Sequence, residues 1–154
     1  MDKTERSIRP CAPIALRPLL GETVLLVEDS RFASEAIRLL CQRAGARLRR
    51  ADNVANAWRH LAVYRPSILL VDLGLPDGSG LDLISTLSRA SPRISVILGI
   101  SGDAAAGDAV LRAGADAFLT KPVAGLAAFQ ATILRHLPDD RPPKSTVLAE
   151  LLQL

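Results

Sequence analysis

The polar residues Glu28, Asp29, Asp72, Ser101 and Lys121 are separated widely along the chain, yet each follows a short apolar run closely. Glu28-Asp29 comes after Val24-Leu25-Leu26-Val27, Asp72 after Ile68-Leu69-Leu70-Val71, Ser101 after Ile100, and Lys121 after Phe118-Leu119-Thr120. A glutamate and two aspartates gathered at one place repel one another unless a cation neutralises them. With carboxylates and backbone oxygens as donors and no His or Cys nearby, the ion favoured is a hard one such as Mg²⁺, which keeps several waters and is completed by a phosphate oxygen. The Lys121 ammonium and the Ser101 hydroxyl complete an anion-binding pocket around it.

To bring these residues together, the runs before them must be strands of one sheet. Five strands are predicted: Val24–Val27, Arg47–Arg50, Ile68–Val71, Ile94–Ile100 and Ala117–Leu119. Near-continuous Val/Ile/Leu runs belong to parallel strands covered on both faces, which makes Val24–Val27 and Ile68–Val71 central neighbours. The arginines of Arg47-Leu48-Arg49-Arg50 suit an exposed edge instead. A nucleic-acid patch that includes Arg43 is the rival reading, but it lacks interleaved aromatics in the sequence. Between the strands, apolar residues recur at helical spacing, as in Phe32, Ala33, Ala36, Ile37, Leu40 and Cys41, and five such stripes give five helices. Gly45 and Gly114 stand where left-handed caps close two of them. The expected fold is a doubly wound α/β domain with a five-stranded parallel sheet of order 2-1-3-4-5, flavodoxin-like. In such a sheet the carboxyl ends of the strands form the ligand site.

Composition agrees with that architecture. Of 154 residues, 49% are hydrophobic but only 3% aromatic, so the core is aliphatic, as suits helices on a sheet. The net charge of +3 is too small to argue for nucleic acid. Cys11 and Cys41 supply neither a disulfide framework nor metal-ligand spacing, and a reducing cytoplasm is the expected home. No apolar run is long enough to span a membrane, and Pro10, Pro13 and Pro18 break any signal-peptide core. Residues 1–22 read as a flexible leader, 23–137 as the folded domain, and 138–154 as a linker followed by a short apolar helix over Val147–Leu154.

Glu28-Asp29 after one strand, Asp72-Leu73-Gly74-Leu75-Pro76-Asp77-Gly78-Ser79-Gly80 after another, then Ser101-Gly102 and Lys121-Pro122, resemble in order the receiver domains of bacterial two-component response regulators. The resemblance covers roughly Thr23 to Leu137. It implies that Asp72 is the nucleophile that accepts a phosphoryl group from a sensor histidine kinase, a phosphotransfer protein or a small donor. It further implies that Asp29, Asp72 and the Gly74 carbonyl bind Mg²⁺ directly, with Glu28 acting mainly through water. Lys121 pairs with the phosphoryl oxygens, Pro122 follows a cis peptide, and Ser101 and Phe118 form the switch. Output then passes to a protein target through the fourth helix, fifth strand and fifth helix. Phe118 stands where many relatives carry Tyr, so a hydroxyl-dependent contact is absent.

The resemblance makes the chain a switch that catalyses only its own phosphorylation and dephosphorylation. For Asp72 the plain alternative is a turn-capping role before Gly74 and Pro76. Gly78-Ser79-Gly80 is no dinucleotide loop, because position 83 is leucine. A haloacid-dehalogenase-like phosphatase wants a second carboxylate where Gly74 stands, and a flavin-mononucleotide binder wants hydroxyls where Glu28-Asp29 would repel phosphate. A stand-alone regulator, a receiver cut from a hybrid kinase and a truncated regulator all remain open, as does a homodimer. No membrane contact and no direct nucleic-acid contact are expected.

Overall fold

A computed structural model of the chain describes residues 17–139. The leader expected over 1–16 and the linker and helix expected over 140–154 lie outside the described residues. In chain order the elements are β1 (Thr23–Val27), α1 (Arg31–Ala44), β2 (Arg47–Ala51), α2 (Val54–Val63), β3 (Ile68–Asp72), β4 (Gly74–Leu75), β5 (Gly78–Ser79), α3 (Gly80–Ser88), β6 (Val96–Ser101), α4 (Gly107–Arg112), β7 (Ala117–Thr120) and α5 (Leu126–His136). β4 and β5 pair as a two-stranded antiparallel ribbon. The other strands form one parallel sheet of order β2-β1-β3-β6-β7, which is the expected 2-1-3-4-5 winding.

Alternation along the strands divides the core. Val24 and Leu26 of β1, Ile68 and Leu70 of β3 and Leu98 of β6 face a layer with Ile37 and Cys41 of α1 and Phe129 and Ile133 of α5. Leu25, Val27, Leu69, Val71 and Ile97 face the opposite layer, with Ala57 of α2, Leu83 and Ile84 of α3 and Val110 of α4. Two-sided burial is why these strands read as unbroken apolar runs. β2 lies at the edge as expected, with Arg47 and Arg49 exposed.

Local chemistry sets the helix ends. Ser30, Asn53 and Ser79 cap α1, α2 and α3, each side-chain oxygen accepting a backbone N–H two or three residues on. Gly45 (φ 90°) and Gly114 (φ 109°) adopt the left-handed conformation at the two expected positions. Gly99 in β6 lets α4 approach the sheet, because a Cβ there would fall 2.5 Å from Val110 Cγ1.

Two boundaries differ from expectation. The folded unit reaches back before residue 23: Leu19 is fully buried and its N–H donates to the Ala44 carbonyl at 2.9 Å. An apolar side chain can seal the end of α1 from outside any regular element, and periodicity carries no sign of that. The fourth strand of the main sheet starts at Val96 rather than Ile94. Ile94 is buried, but its carbonyl accepts from Arg93 Nη1 at 2.9 Å. Arg93 also pairs with Asp116 at 3.1 Å, and Asp116 accepts the Ile97 N–H at 2.9 Å.

Candidate functional site

Glu28 and Asp29 leave the end of β1, Asp72 ends β3, Ser101 ends β6 and Lys121 follows β7, so all five lie at the carboxyl edge of the sheet. The carboxylates of Glu28, Asp29 and Asp72 each offer an oxygen within 4.8 Å of the others. Glu28 is fully buried and Asp72 nearly so, whereas Asp29 is exposed. Lys121 bridges the two buried acids, its Nζ standing 2.6 Å from Glu28 Oε2 and 3.1 Å from Asp72 Oδ1.

Burial pushes the Glu28 carboxyl above the ordinary range, against the lowering effect of its bonds to Lys121 and the Ser30 N–H. Burial pulls the Lys121 ammonium down, but its bonds to Glu28 and Asp72 outweigh that and hold it above the usual lysine value. Three carboxylates against one ammonium leave two negative charges when all are ionised, and a divalent cation balances them. The donor set of carboxylate and backbone oxygens fits Mg²⁺.

The backbone is shaped to hold this edge. Gly74 lies two residues past Asp72, and a Cβ there would be 4.0 Å from Asp72 Oδ2, so the space over the acid stays open. Gly80 must be glycine, since a Cβ would fall 2.3 Å from the Asp72 carbonyl oxygen. Ser101 Oγ accepts the Asp103 N–H at 3.1 Å, and the Lys121 N–H donates to the Ser101 carbonyl at 2.8 Å, tying the ends of β6 and β7 together. The Lys121–Pro122 peptide is cis, as expected. Phe118 is half-buried, packed on the layer that contains Val110.

The roles of Arg50 and Asp77 escaped the sequence reading. Arg50 reaches from the edge strand across to the acidic loop, where Nε donates to the Glu28 carbonyl at 3.0 Å and Nη2 to the Asp29 carbonyl at 2.9 Å. Asp77 accepts the Val54 and Ala55 N–H groups at 2.7 and 3.0 Å, which lowers its carboxyl below the usual range and fastens the β4–β5 ribbon to the start of α2. Period-two alternation assigns a strand residue to a face, but it does not say which carbonyl a long side chain reaches.

Residues 24–132 match the family model of the response regulator receiver domain. The chain belongs to that family. Among relatives of this receiver, the KDP operon transcriptional regulatory protein KdpE of Escherichia coli is 32% identical over 110 residues, which are 71% of this chain and 48% of that protein. The chain spans about half the length of the curated relatives it matches. Solved structures share the receiver fold. The chemotaxis response regulator CheY4 of Vibrio cholerae superposes with a TM-score of 0.67 at 21% identity, covering 75% of this chain and 98% of that one. The signal receiver domain of a signal transduction histidine kinase from Syntrophus aciditrophicus gives 0.68 at 23% identity, covering 79% of this chain and 96% of that one.

Proposed function

We propose that this receiver is a Mg²⁺-dependent phosphoryl acceptor in two-component signalling, with Asp72 as the residue modified. The observation that carries the reading is the cluster of Glu28, Asp29 and Asp72 with Lys121 bridging two of its members. A carboxylate that lies beside an ammonium, at an open sheet edge, is a usable nucleophile.

In the proposed reaction a carboxylate oxygen of Asp72 attacks phosphorus, the bond from phosphorus to the donor's imidazole nitrogen breaks, and the electron pair leaves with the imidazole. Asp29, Asp72 and the Gly74 carbonyl would hold Mg²⁺ directly, and Glu28 mainly through water. When bound, the ion supplies charge neutralisation for the transferring group. Lys121 stands beside the accepting oxygen and turns from its carboxylate partners towards the incoming phosphoryl oxygens. Ser101, on the adjacent strand, donates its hydroxyl to one of them. Phe118 then turns inward and alters the face formed by α4, β7 and α5, where a downstream protein target is read.

The phosphodonor is a sensor histidine kinase or a phosphotransfer protein, and the setting is the cytoplasm of a bacterium. Among the described residues no helix is long and apolar enough to cross a membrane. On this reading the chain acts on itself alone and turns over no separate substrate; no membrane contact and no direct nucleic-acid contact are assigned to these residues, and a homodimer is compatible with it.

The test is incubation with Mg²⁺ and acetyl phosphate, followed by intact mass measurement. Wild type gains one phosphoryl group and Asp72→Asn gains none. Equal labelling of the variant would place the nucleophile elsewhere.

A further inference from the structure

α2 is lightly anchored. Of its ten residues only Ala57 is buried, whereas α3 buries Gly80, Leu83, Ile84 and Leu87. Ala55, Trp58 and Ala62 follow one another at helical spacing on the exposed side, with Trp58 41% exposed. α2 rests on β1 and β2 while α3 rests on β3 and β6, and a furrow is left between the two helices. Trp58 stands within it and lines a hollow on each side of itself. The hollow toward the carboxyl edge of the sheet, about 190 Å³, is walled by Val54, Gly78, Asp82 and Thr86 among others. The hollow toward the opposite edge, about 510 Å³, is walled by Leu61, Arg65, Leu87, Pro92 and Ile94 among others.

Each hollow has one charged residue in its wall. Asp82 stands in the first turn of α3, and Arg65 follows the end of α2. Both are exposed, and neither has an ion pair among the described residues; the Arg65 guanidinium donates only to the neutral Pro92 carbonyl. The lone acid thus lies at one end of the furrow on the α3 wall, and the lone base at the other end on the α2 wall. That is a diagonal about Trp58. A two-fold axis at Trp58, normal to the furrow, exchanges both the ends and the walls, so it brings Arg65 of one copy to Asp82 of the other, twice over. An apolar patch with an aromatic residue at its centre and charges at its rim is the usual make-up of a protein interface. A small free anion would engage Arg65 and leave Asp82 alone, and a cation would do the reverse. A second copy satisfies both.

We propose that the furrow between α2 and α3 is a self-association surface, on which two copies of this chain meet about a two-fold axis at Trp58 with Asp82 and Arg65 paired across it. The larger hollow of each copy then faces the smaller hollow of the other. The contact uses none of Glu28, Asp29, Asp72, Ser101 or Lys121, so it stands apart from the phosphoryl-acceptor reading. The face formed by α4, β7 and α5 lies outside it, and the dimer presents that face twice.

Sedimentation equilibrium of the full chain, from micromolar to millimolar concentration, tests the surface. Wild type is expected to pass from monomer to dimer across that range. Asp82→Arg and Arg65→Asp are each expected to raise the dimer dissociation constant on the order of tenfold, because every reversal acts at both symmetry-related contacts. Trp58→Ala is expected to raise it on the order of a hundredfold. Mixing the two charge variants in equal amounts restores both pairs in a heterodimer, and the Asp82→Arg, Arg65→Asp double variant restores them in a homodimer. Both are expected to return to within about threefold of wild type. Such a rescue also shows that the single variants are folded. A dimer indifferent to the reversals, or a mixture no tighter than its components, would overturn the proposal. So would a monomer at every concentration, and if benzoate then changed its Trp58 emission the larger hollow would belong to a free anion instead.

Discussion

Arg50 shows how a single side chain can matter to a site without entering it. Its guanidinium holds the Glu28 and Asp29 carbonyls, so it fixes the turn that aims both carboxylates. Losing such an orienting partner typically weakens metal binding by about 10- to 100-fold. Arg50→Ala is therefore expected to raise the Mg²⁺ dissociation constant by at least about tenfold in a calorimetric titration while Asp72 remains labelled at saturating metal. Arg50→Lys should recover little, because an ammonium cannot reproduce the planar fork. Asp72, Lys121 and the acidic pair were legible in the sequence because each stands at the end of an apolar run. Arg50 was not: its neighbours explain why it is at an edge, and nothing in its spacing says that it folds back.

At the scale of elements, the central pair of strands, the edge strand and the helix count followed from the runs and stripes, because burial on two faces leaves an aliphatic signature. The end of the leader and the start of β6 did not follow. Leu19 is buried from a turn, and the Ile94 carbonyl is taken by a side chain instead of a neighbouring strand. Two predictions belong here. Gly99→Ala drives a methyl into Val110 and is expected to cost about 1–3 kcal/mol in urea unfolding. Asp77 has a lowered pKa in the folded chain, set by the Val54 and Ala55 N–H groups, so its stabilising contribution is present above the unfolded value near 3.8 and is lost as pH falls through the folded value. Melts of Asp77→Asn and wild type should accordingly differ at pH 6 and converge at strongly acid pH; a difference that persists unchanged at low pH would refute the linkage.

For the whole molecule, the proposed reading couples metal binding to folding. The carboxylates of Glu28, Asp29 and Asp72 are gathered only in the native chain, so Mg²⁺ is expected to stabilise it by mass action, by about 1.4 kcal/mol at ten times the dissociation constant. Thermal melts should shift upward with Mg²⁺ in wild type and stay fixed in an Asp29→Asn, Asp72→Asn double variant. A shift of the same size in that variant would move the ion to another place.

Lys121 follows β7, the last strand of the sheet, whereas Glu28 follows the first. During synthesis the ribosome releases Asp72 long before the ammonium that sits beside it in the finished protein. A half-made chain, or one clipped before its final strand, thus presents acids that lack their counter-charge. On the proposed reading, phosphoryl acceptance is expected to begin only once translation has passed β7.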